Sequence, residues 1–413
     1  MDLSKPVDDE FTRALPKIEA SQAILSDAKL HAHLSGSISR QCLHEIWAQK
    51  KAQSPETFTL EDPLVAMPPG KVDYSLQTFF TTFSHTIYHL LTTLSDIRAA
   101  TRSTLADFAA DGVVYLELRT IPRASPAQSF TREEYLTTVL DTIAEFGLQQ
   151  QQEQQQQPPA NTSSLPSESG ASPKKAAMTT NLILAIDRGT MTAQDAMEVV
   201  QLAIKYRSPN PSTRRSTHPH PRKTGGTVIG LDICGDPTKG DIALYAPALA
   251  LAKAVGLGVT VHFAEVAPNP HQPRNQEEEL RTLLDFEPDR LGHVIHVSAP
   301  IKQAIRQRRC ALELCLSCNV HAGMVAGGFA EHHFGEWWAD GTGQCVVVLC
   351  TDDVGFFCSP VSNEYRLAAE HFRLGRAEVL RLCRRSYGAI FGGAAETERL
   401  HKLLDDFEAG YKG

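Results

Sequence analysis

Eight runs of mostly apolar residues recur along the chain, and each is short enough to form a β-strand. In most runs the apolar residues follow one another with few polar interruptions, the pattern of strands that are buried on both faces. This pattern predicts a largely parallel sheet inside the protein. The predicted strands are KLHAHL (29–34), VVYLELR (113–119), LILAID (182–187), VIGLDIC (228–234), VTVHFAE (259–265), RLGHVIHV (290–297), CALELCLSC (310–318) and VVVLCTDD (346–353).

Segments with helical periodicity lie between most of these runs. TRSTLADFAADG precedes the second run, TAQDAMEVVQLAIKY the fourth and ALYAPALALAKAVG the fifth. Strands that alternate with helices are typical of α/β folds, and eight repeats predict a (β/α)8 barrel of the TIM type, as one domain over 1–413. An open, doubly wound sheet is the alternative. It would usually carry a G-x-G-x-x-G turn after its first strand, whereas the first run continues as HAHLSGSIS.

Four segments are predicted to lie outside the barrel. We expect residues 1–14 to form a mobile tail, and 43–100, which are mostly helical in pattern, to form a cap after the first strand. Residues 147–178 contain a glutamine run followed by prolines and serines, and 207–226 are basic and proline-rich. Both segments lack the apolar residues that a packed core requires, so we expect two disordered insertions.

The composition excludes several kinds of partner. The 413 residues are 42% hydrophobic and 21% charged, and their formal net charge of -8 offers no basic surface to a nucleic acid. No run approaches the roughly 18 apolar residues of a membrane span, and the beginning, MDLSKPVDDEFTRALPK, lacks the apolar core of a signal peptide. We expect a cytoplasmic, monomeric protein that binds a small molecule and neither membranes nor nucleic acid.

The nine cysteines are interpreted as free thiols. Most lie within or beside strand-like runs, where a thiol packs as a small hydrophobic side chain. Cys315 and Cys318 have the C-x-x-C spacing of some metal sites, but no second pair lies near them in the sequence. The pattern therefore favours burial over a metal or redox role.

Histidines and carboxylates occupy several strand ends, where a buried strand would ordinarily end in Val or Leu. Because side chains alternate along a strand, His31 and His33 point the same way from the end of the first run. Taken alone, this pair is a chance event in a chain with 16 histidines. Asp352 and Asp353 end an apolar run, and their burial would be costly unless a cation compensated it. A divalent metal explains both observations.

The fifth and sixth runs add three more polar residues. His262 lies in the fifth run, Glu265 ends it, and His293 lies in the sixth. Each has an ordinary interpretation by itself, as a core histidine or a helix-start carboxylate. Three histidines and one aspartate suit zinc better than magnesium or calcium, and zinc lowers the pKa of bound water toward about 7. The set therefore predicts hydrolytic attack on an electrophilic carbon.

The chain resembles the adenosine deaminase family, and within it the adenosine deaminase-like subgroup that acts on N6-methyl-AMP. The likeness is carried by LPKIE, LHAHLSGSIS, ADFAADGVVYLELRTIPR, GLDICGDPTKG, VHFAEV, DRLGHVIHV, LELCLSCNV, HHFGEWW and CTDDVGFF. It implies one zinc ion per chain. The resemblance implies the zinc ligands His31, His33, His262 and Asp352, the proton donor Glu265, and a pair that orients the attacking hydroxide, His293 and Asp353.

The subgroup is indicated mainly by LELRTIPR, which places Arg123 where adenosine-specific members have no comparable cation. A guanidinium there could pair with a 5'-phosphate, and a surface arginine after a strand is the equal alternative from the residues alone. Asp187 is also a helix-cap candidate, and Gly235 a turn glycine. The resemblance implies substrate contacts by His33, Ser35, Tyr88, Thr120, Ile121, Pro122, Arg123, Asp187, Gly235 and Asp353.

Three features depart from the family pattern. Ser35 stands where the subgroup generally has asparagine, and its hydroxyl reaches less far. The ring-binding histidine of the family falls nearest Tyr88, with His85 and His89 close by, so the contacting residue stays open among these three. The segment ASQAILSDAK (20–29) separates LPKIE from LHAHL, which are continuous in the family.

The resulting hypothesis is zinc-dependent hydrolytic deamination of a purine nucleoside 5'-monophosphate at C6, with N6-methyl-AMP as the preferred substrate. Two alternatives remain at this stage. An adenosine deaminase would use the same metal site on adenosine. A protein of another class could keep the fold and bind purines without catalysis, although such a protein would gain nothing from the proton shuttle at Glu265.

Overall fold

A computed structural model describes residues 1–19, 34–74, 78, 82, 84–125, 130–156, 176–207, 227–268, 276–340 and 343–411. Eight strands in this part of the chain form one sheet in the order β1 to β8, and every neighbouring pair is parallel. The sheet is a nearly closed barrel, which confirms the predicted (β/α)8 fold. The strands are β1 Lys17–Glu19, β2 Val113–Thr120, β3 Thr179–Asp187, β4 Val228–Cys234, β5 Gly258–Phe263, β6 Arg290–His293, β7 Ala311–Leu314 and β8 Val347–Leu349.

The first strand lies earlier in the chain than predicted. β1 is Lys17–Glu19, whereas the prediction placed it at 29–34, of which residues 29–33 lie outside the described part. Two charged residues in three conceal β1 in the sequence, yet all three residues are buried. The Lys17 ammonium is buried because the carbonyl oxygens of Thr12 and Leu15 accept its hydrogen bonds at 2.6 and 3.2 Å.

The chain returns to the barrel immediately after the undescribed residues 20–33. The Leu34 N–H donates a 2.8 Å hydrogen bond to the carbonyl of Arg119, near the end of β2. Since Glu19 pairs with Leu116, Leu34 lies further along the same edge of β2. Glu19 also lies beside Thr351, just after β8, so the first and last strands are neighbours.

Helices follow the strands and cover the outside of the barrel. A π-helical segment, Ser84–Tyr88, lies between the third and fourth of them. In the described residues they are α1 Asp9–Ala14, α2 Arg40–Gln53, α3 Pro63–Ala66, α4 Leu94–Ala110, α5 Arg132–Gln156, α6 Ala193–Tyr206, α7 Ala246–Ala254, α8 Gln276–Asp285, α9 Ala299–Arg308, α10 Leu316–His321, α11 Phe334–Ala339, α12 Val354–Phe357, α13 Val361–Phe372, α14 Arg376–Ser386 and α15 Ala394–Gly410.

Two predicted irregular segments are partly helical. Residues 9–14 of the predicted tail form α1, which begins at the Asp8 cap and buries Phe11 completely, because the aromatic ring packs against the core. Helix α5 continues to Gln156, so the first residues of the predicted insertion 147–178 belong to a helix. Residues 157–175 and 208–226 lie outside the described part, and the predicted disorder there stays a prediction.

The barrel interior contains a ladder of buried charges that connects four strands, β2, β4, β6 and β7. Arg119 contacts Glu313 at 2.5 Å and Asp232 at 3.4 Å. Arg290 contacts the other oxygen of Glu313 at 2.7 Å and Glu117 at 2.6 Å. Two guanidinium groups thus serve three carboxylates, and buried charges of this kind persist only when they are paired. The ladder therefore has one more carboxylate than guanidinium groups. This net negative charge lies beneath the carboxyl ends of the strands.

None of the described helices is both long enough and apolar enough to cross a bilayer. All nine cysteines lie in the described residues, and all are free thiols.

Candidate active site at the carboxyl ends of the strands

Four of the predicted catalytic and metal-binding residues lie at the carboxyl ends of β5, β6 and β8. His262 is in β5, His293 ends β6, and the register pairs Phe263 with His293. Asp352 and Asp353 lie just beyond the end of β8, after Cys350 and Thr351. The carboxyl ends of parallel strands open at the same rim of a barrel, which is where active sites of this fold lie.

The backbone at these ends is strained. Ala264, His293 and Asp352 have φ angles of 52°, 60° and 59°, in the left-handed region that residues with a Cβ rarely adopt. Each residue in that region costs on the order of 1–2 kcal/mol. Strain of this kind at three neighbouring strand ends turns the adjacent polar side chains toward a common centre.

The ring of His262 is oriented by two acceptors. Its Nδ1 lies 3.2 Å from the Asp232 carboxylate and 3.0 Å from the carbonyl of Ile233. Because both partners accept, Nδ1 carries the proton and Nε2 keeps its lone pair. A carboxylate behind a histidine is the usual support of a metal ligand. Asp232, one of the carboxylates of the interior ladder, therefore lies where it raises the basicity of His262.

Three buried carboxyl groups lie together without hydrogen-bond partners for most of their oxygens. Among the described residues, no well-aligned hydrogen bond is donated to Glu265 Oε1 or to either oxygen of Asp352 and Asp353, and the Cys318 thiol is the donor that lies near Asp352. Burial raises the pKa of all three well above the ordinary range, and repulsion between neighbouring carboxyls adds to the effect. An arrangement so costly by itself fits a divalent cation, and the nitrogen of His262 with the oxygens of Asp352 provides donors for one.

Glu265 and His293 face each other. Glu265 Oε1 lies 3.6 Å from His293 Nε2, and the rings of His293 and His262 are 5.4 Å apart. Burial raises the pKa of Glu265, and the Asp353 carboxyl raises it further. Both effects favour the protonated carboxyl of Glu265, which is the form that donates a proton.

Cys315 belongs to this centre, although sequence reasoning assigned it to a strand end. Its sulfur, a ligand atom of His293 and one of Asp352 lie within 4.8 Å of one another, and all three residues are buried. Burial raises the pKa of the Cys315 thiol well above its ordinary value. The position directly after an apolar strand was the only available signal, and it is shared with many core cysteines.

The predicted substrate residues group around Arg123. Its guanidinium carbon lies 4.7 Å from the centre of the Tyr88 ring and 5.6 Å from that of Tyr135. Burial raises the pKa of Tyr88, while Arg123 and the Ser35 hydroxyl act in the opposite direction, so these groups are close together. Arg123 Nε is buried and has no hydrogen-bond partner among the described residues.

The remaining predicted substrate residues line the neighbouring strand ends. The hydroxyl of Thr120 lies 2.7 Å from that of Tyr135, and Ile121 and Pro122 are buried beside it. Asp187 accepts hydrogen bonds from Gly189 N–H and Thr190 Oγ1. Gly235 has φ +103°, and a Cβ there would lie 2.4 Å from Asp187 Oδ1, so only glycine fits.

Two groups of predictions differ in outcome. His31 and His33, the other predicted metal ligands, lie outside the described residues. Of the three candidates in the cap, Tyr88 is half-buried against Arg123, whereas His85 and His89 are exposed and their rings stack on each other at 6.2 Å. Of these three residues, Tyr88 is therefore the one that lies against Arg123.

Comparison with known proteins assigns the family. The family model described as adenosine deaminase matches residues 27–407. The N6-methyl-AMP deaminase of Homo sapiens is 32% identical over 406 residues, which cover 96% of this chain and 95% of the human protein. The N6-mAMP deaminase of Arabidopsis thaliana is 30% identical over 397 residues, or 96% of this chain and 98% of that protein. The chain belongs to the adenosine deaminase family.

A solved structure of this family agrees with the fold. The crystal structure of Arabidopsis ADAL complexed with IMP superimposes with a TM-score of 0.73 at 28% identity, over 97% of this chain and 99% of that one. As a member of the adenosine deaminase family, the chain is an aminohydrolase that removes an amine with water.

Proposed function

We propose that this chain catalyses the zinc-dependent hydrolytic deamination of a purine nucleoside 5'-monophosphate at C6. The preferred substrate is N6-methyl-AMP, and one water molecule converts it to IMP and methylamine. One observation carries the proposal: Glu265, Asp352 and Asp353 are buried with unpartnered oxygens beside His293 at the carboxyl rim of the barrel. The names of the human and Arabidopsis relatives support the choice of substrate.

The proposed metal ligands are His31, His33, His262 and Asp352. The orphaned oxygens of Asp352 and the oriented Nε2 of His262 fit this role. When bound, zinc would supply Lewis acidity that makes a water molecule nucleophilic near neutral pH.

The side chains of the chain divide the remaining tasks. His293 and Asp353 orient the attacking water toward C6 of the purine. Glu265, as an acid, donates its proton to the ring nitrogen next to C6, which makes that carbon more electrophilic. After attack, the added water loses both protons: one passes through Glu265 to the departing amine, and the other restores the acid form of Glu265 as the C6 carbonyl forms. The burial of Glu265 thus serves both half-reactions.

The proposed phosphate contact is Arg123. Tyr88 and Tyr135 hold its guanidinium by cation–π contacts, and its buried Nε lacks a partner in the described residues. A 5'-phosphate would satisfy that donor with charge-assisted hydrogen bonds. Thr120, Asp187 and Gly235 border the same space. Together with Ser35, Tyr88, Ile121, Pro122, His33 and Asp353, they form the proposed substrate-contacting set.

The test measures kcat/KM of the zinc-loaded full chain for three substrates, N6-methyl-AMP, AMP and adenosine. We expect IMP to form from N6-methyl-AMP, with a kcat/KM at least about 10-fold above that for adenosine, because charge-assisted hydrogen bonds to the phosphate contribute about 1.5–3 kcal/mol. AMP is the control that carries the phosphate without the methyl group. Equal or faster turnover of adenosine would make the chain a plain adenosine deaminase. Binding of all three without release of IMP or inosine would leave only a purine-binding protein.

A further inference from the structure

A row of hydrogen-bonding groups runs from the beginning of α11 to the catalytic His293. The Phe334 N–H lies 3.0 Å from Nδ1 of His332. Nε2 of His332 lies 3.1 Å from Oδ1 of Asn319, and Nδ2 of Asn319 lies 3.1 Å from Nδ1 of His293. The three side chains are at most 2% exposed, so water does not compete for these contacts.

The direction of the row follows from its first member. A backbone N–H can only donate, so Nδ1 of His332 accepts, and the proton of that neutral ring lies on Nε2. Burial lowers the pKa of His332 well below its ordinary value, and the neighbouring His333 contributes, which keeps the ring neutral. His332 therefore donates to the carbonyl oxygen of Asn319. The opposite orientation of the Asn319 amide would place two donors against each other.

The same direction determines the tautomer of His293. Since Asn319 donates its amide N–H, Nδ1 of His293 accepts, and the neutral ring carries its proton on Nε2. Nε2 is the nitrogen that lies 3.6 Å from Glu265. We propose that Asn319 and His332 are positioning residues that hold His293 in the Nε2–H tautomer. The inference deepens the proposed function, and its catalytic meaning rests on that function.

The tautomer decides what His293 can do in the site. With the proton on Nε2, the ring donates a hydrogen bond to the oxygen of the attacking water and stabilises the negative charge that develops there. With the proton on Nδ1, the ring would instead present a lone pair to that oxygen. The carboxyls of Asp352 and Asp353 provide acceptors at this centre, and the Nε2–H of His293 adds a donor that faces it.

A spectroscopic experiment tests the tautomer directly. The zinc-loaded full chain is labelled with 15N-histidine, and the His293 signals are identified by their loss in His293→Gln. We expect Nε2 to be protonated and Nδ1 unprotonated. In Asn319→Asp the new carboxylate only accepts, so a proton should appear on Nδ1. A proton on Nδ1 in the unmodified chain, or an Asn319→Asp chain without one, would overturn the inference.

Kinetics test the positioning role. We expect Asn319→Asp and His332→Leu to lower kcat about 10- to 100-fold while KM for N6-methyl-AMP changes less than about threefold, because binding is intact and the donor is misplaced. His332→Gln offers an acceptor and a donor at similar positions and should recover much of the loss. Wild-type kcat in His332→Leu, or no recovery in His332→Gln, would contradict the proposal.

Matched substitutions control for general damage. Asn181→Asp, near the amino end of β3, and His401→Gln in α15 make the same chemical changes away from the site and should keep kcat within about twofold. If His332→Leu does not fold, the 15N spectrum of Asn319→Asp decides. That spectrum needs no substrate, so a chain with the expected tautomer and no deaminase activity would contradict the proposed function alone.

Discussion

Glu265 shows how burial produces chemistry from one side chain. The residue is 3% exposed, and its pKa is raised by burial first and by Asp353 second. A carboxyl in this environment is an acid where an exposed glutamate would be a base. Glu265 Oε1 lies 3.6 Å from Nε2 of His293, so the carboxyl group faces the proposed catalytic centre. The proposed role of Glu265 therefore depends on its surroundings more than on its identity.

Replacement of Glu265 by glutamine removes the proton and keeps the shape. We expect kcat for N6-methyl-AMP to fall about 10²- to 10⁴-fold, the usual contribution of a general acid. Zinc content, measured by elemental analysis, should not change. Glu278→Gln on the exposed face of α8 is the matched control. Activity near that of the control would rule out Glu265 as the proton donor.

Arg123 is expected to distinguish phosphorylated from unphosphorylated substrates. In Arg123→Ala, kcat/KM for N6-methyl-AMP should fall about 10- to 100-fold, since charge-assisted hydrogen bonds contribute about 1.5–3 kcal/mol. The value for adenosine should stay within about threefold. Arg102→Ala, at an exposed ion pair with Glu145, provides the control. An equal loss on both substrates would mean that Arg123 supports the cap instead of the phosphate.

Ala264 carries strain that glycine would not. Ala264 has a φ angle of 52° and lies between the predicted ligand His262 and the predicted acid Glu265. We expect Ala264→Gly to raise the free energy of unfolding by about 1 kcal/mol, as judged by denaturant titration. Ala252→Gly within α7 should instead lower it by about 1 kcal/mol, because glycine weakens a helix interior. Destabilisation by both substitutions would show that Ala264 is not strained.

Helices α10 and α13 are joined by one buried carboxyl. Glu364 of α13 accepts hydrogen bonds from the hydroxyls of Ser317 and Ser359 and, at 3.2 Å, from the Ser317 N–H at the beginning of α10. Burial nevertheless raises the pKa of Glu364 to about 7. This contact holds α10 in place, and α10 contains Asn319 of the row that orients His293.

This shift predicts a dependence of stability on pH. Between the unfolded pKa of about 4.3 and the folded value of about 7, the folded chain holds a proton that the unfolded chain has lost. The contribution of Glu364 is therefore complete below about pH 4 and declines by at most about 1.4 kcal/mol per pH unit up to about pH 7. Denaturant titrations of the unmodified chain and of Glu364→Gln at several pH values measure this contribution as the difference between their free energies of unfolding. A constant difference between the two from pH 5 to pH 8 would exclude the shift.

The barrel combines an interior charge ladder with a rim of buried carboxyls. The ladder contains three carboxylates and two guanidiniums, and one of those carboxylates, Asp232, lies behind His262. The rim adds the carboxyls of Glu265, Asp352 and Asp353. A cation bound at the rim would offset the negative charge of both the ladder and the rim carboxyls. The free energy of unfolding should therefore depend on whether metal is bound.

Metal removal tests this dependence. Loading with zinc at about 1,000 times its Kd should stabilise the fold by about 4 kcal/mol over chelator-treated protein. Asp352→Asn should have opposite effects in the two states. The metal-free chain gains stability, because a buried carboxyl whose ionisation is costly is replaced by an amide that cannot ionise, and the zinc-treated chain loses stability. Calorimetric melting of both proteins with zinc and with chelator measures this. The same sign in both states would argue against Asp352 as a ligand.

Local pattern was sufficient to predict seven of the strands and the polar residues at their ends. Runs such as VVVLCTDD are apolar until the barrel rim, so position and chemistry are both visible in the sequence. The three-residue β1 was missed because it contains no apolar run. The Lys17 ammonium is buried against the nearby carbonyls of Thr12 and Leu15, and Glu19 lies beside Thr351, which is distant in the sequence. Charges at Glu117 and Arg119, on the same face of β2, were the overlooked signal of an interior ladder.

The sequence by itself therefore determined the fold class and the candidate chemistry, because strand periodicity and residue type are local properties. Only the tertiary structure decided which groups lie together. It placed Asp232 behind His262, Tyr88 over Arg123, and Asn319 between His332 and His293. Proton positions and pKa values depend on distances between residues that are far apart in the chain, and no spacing in the sequence contains those distances.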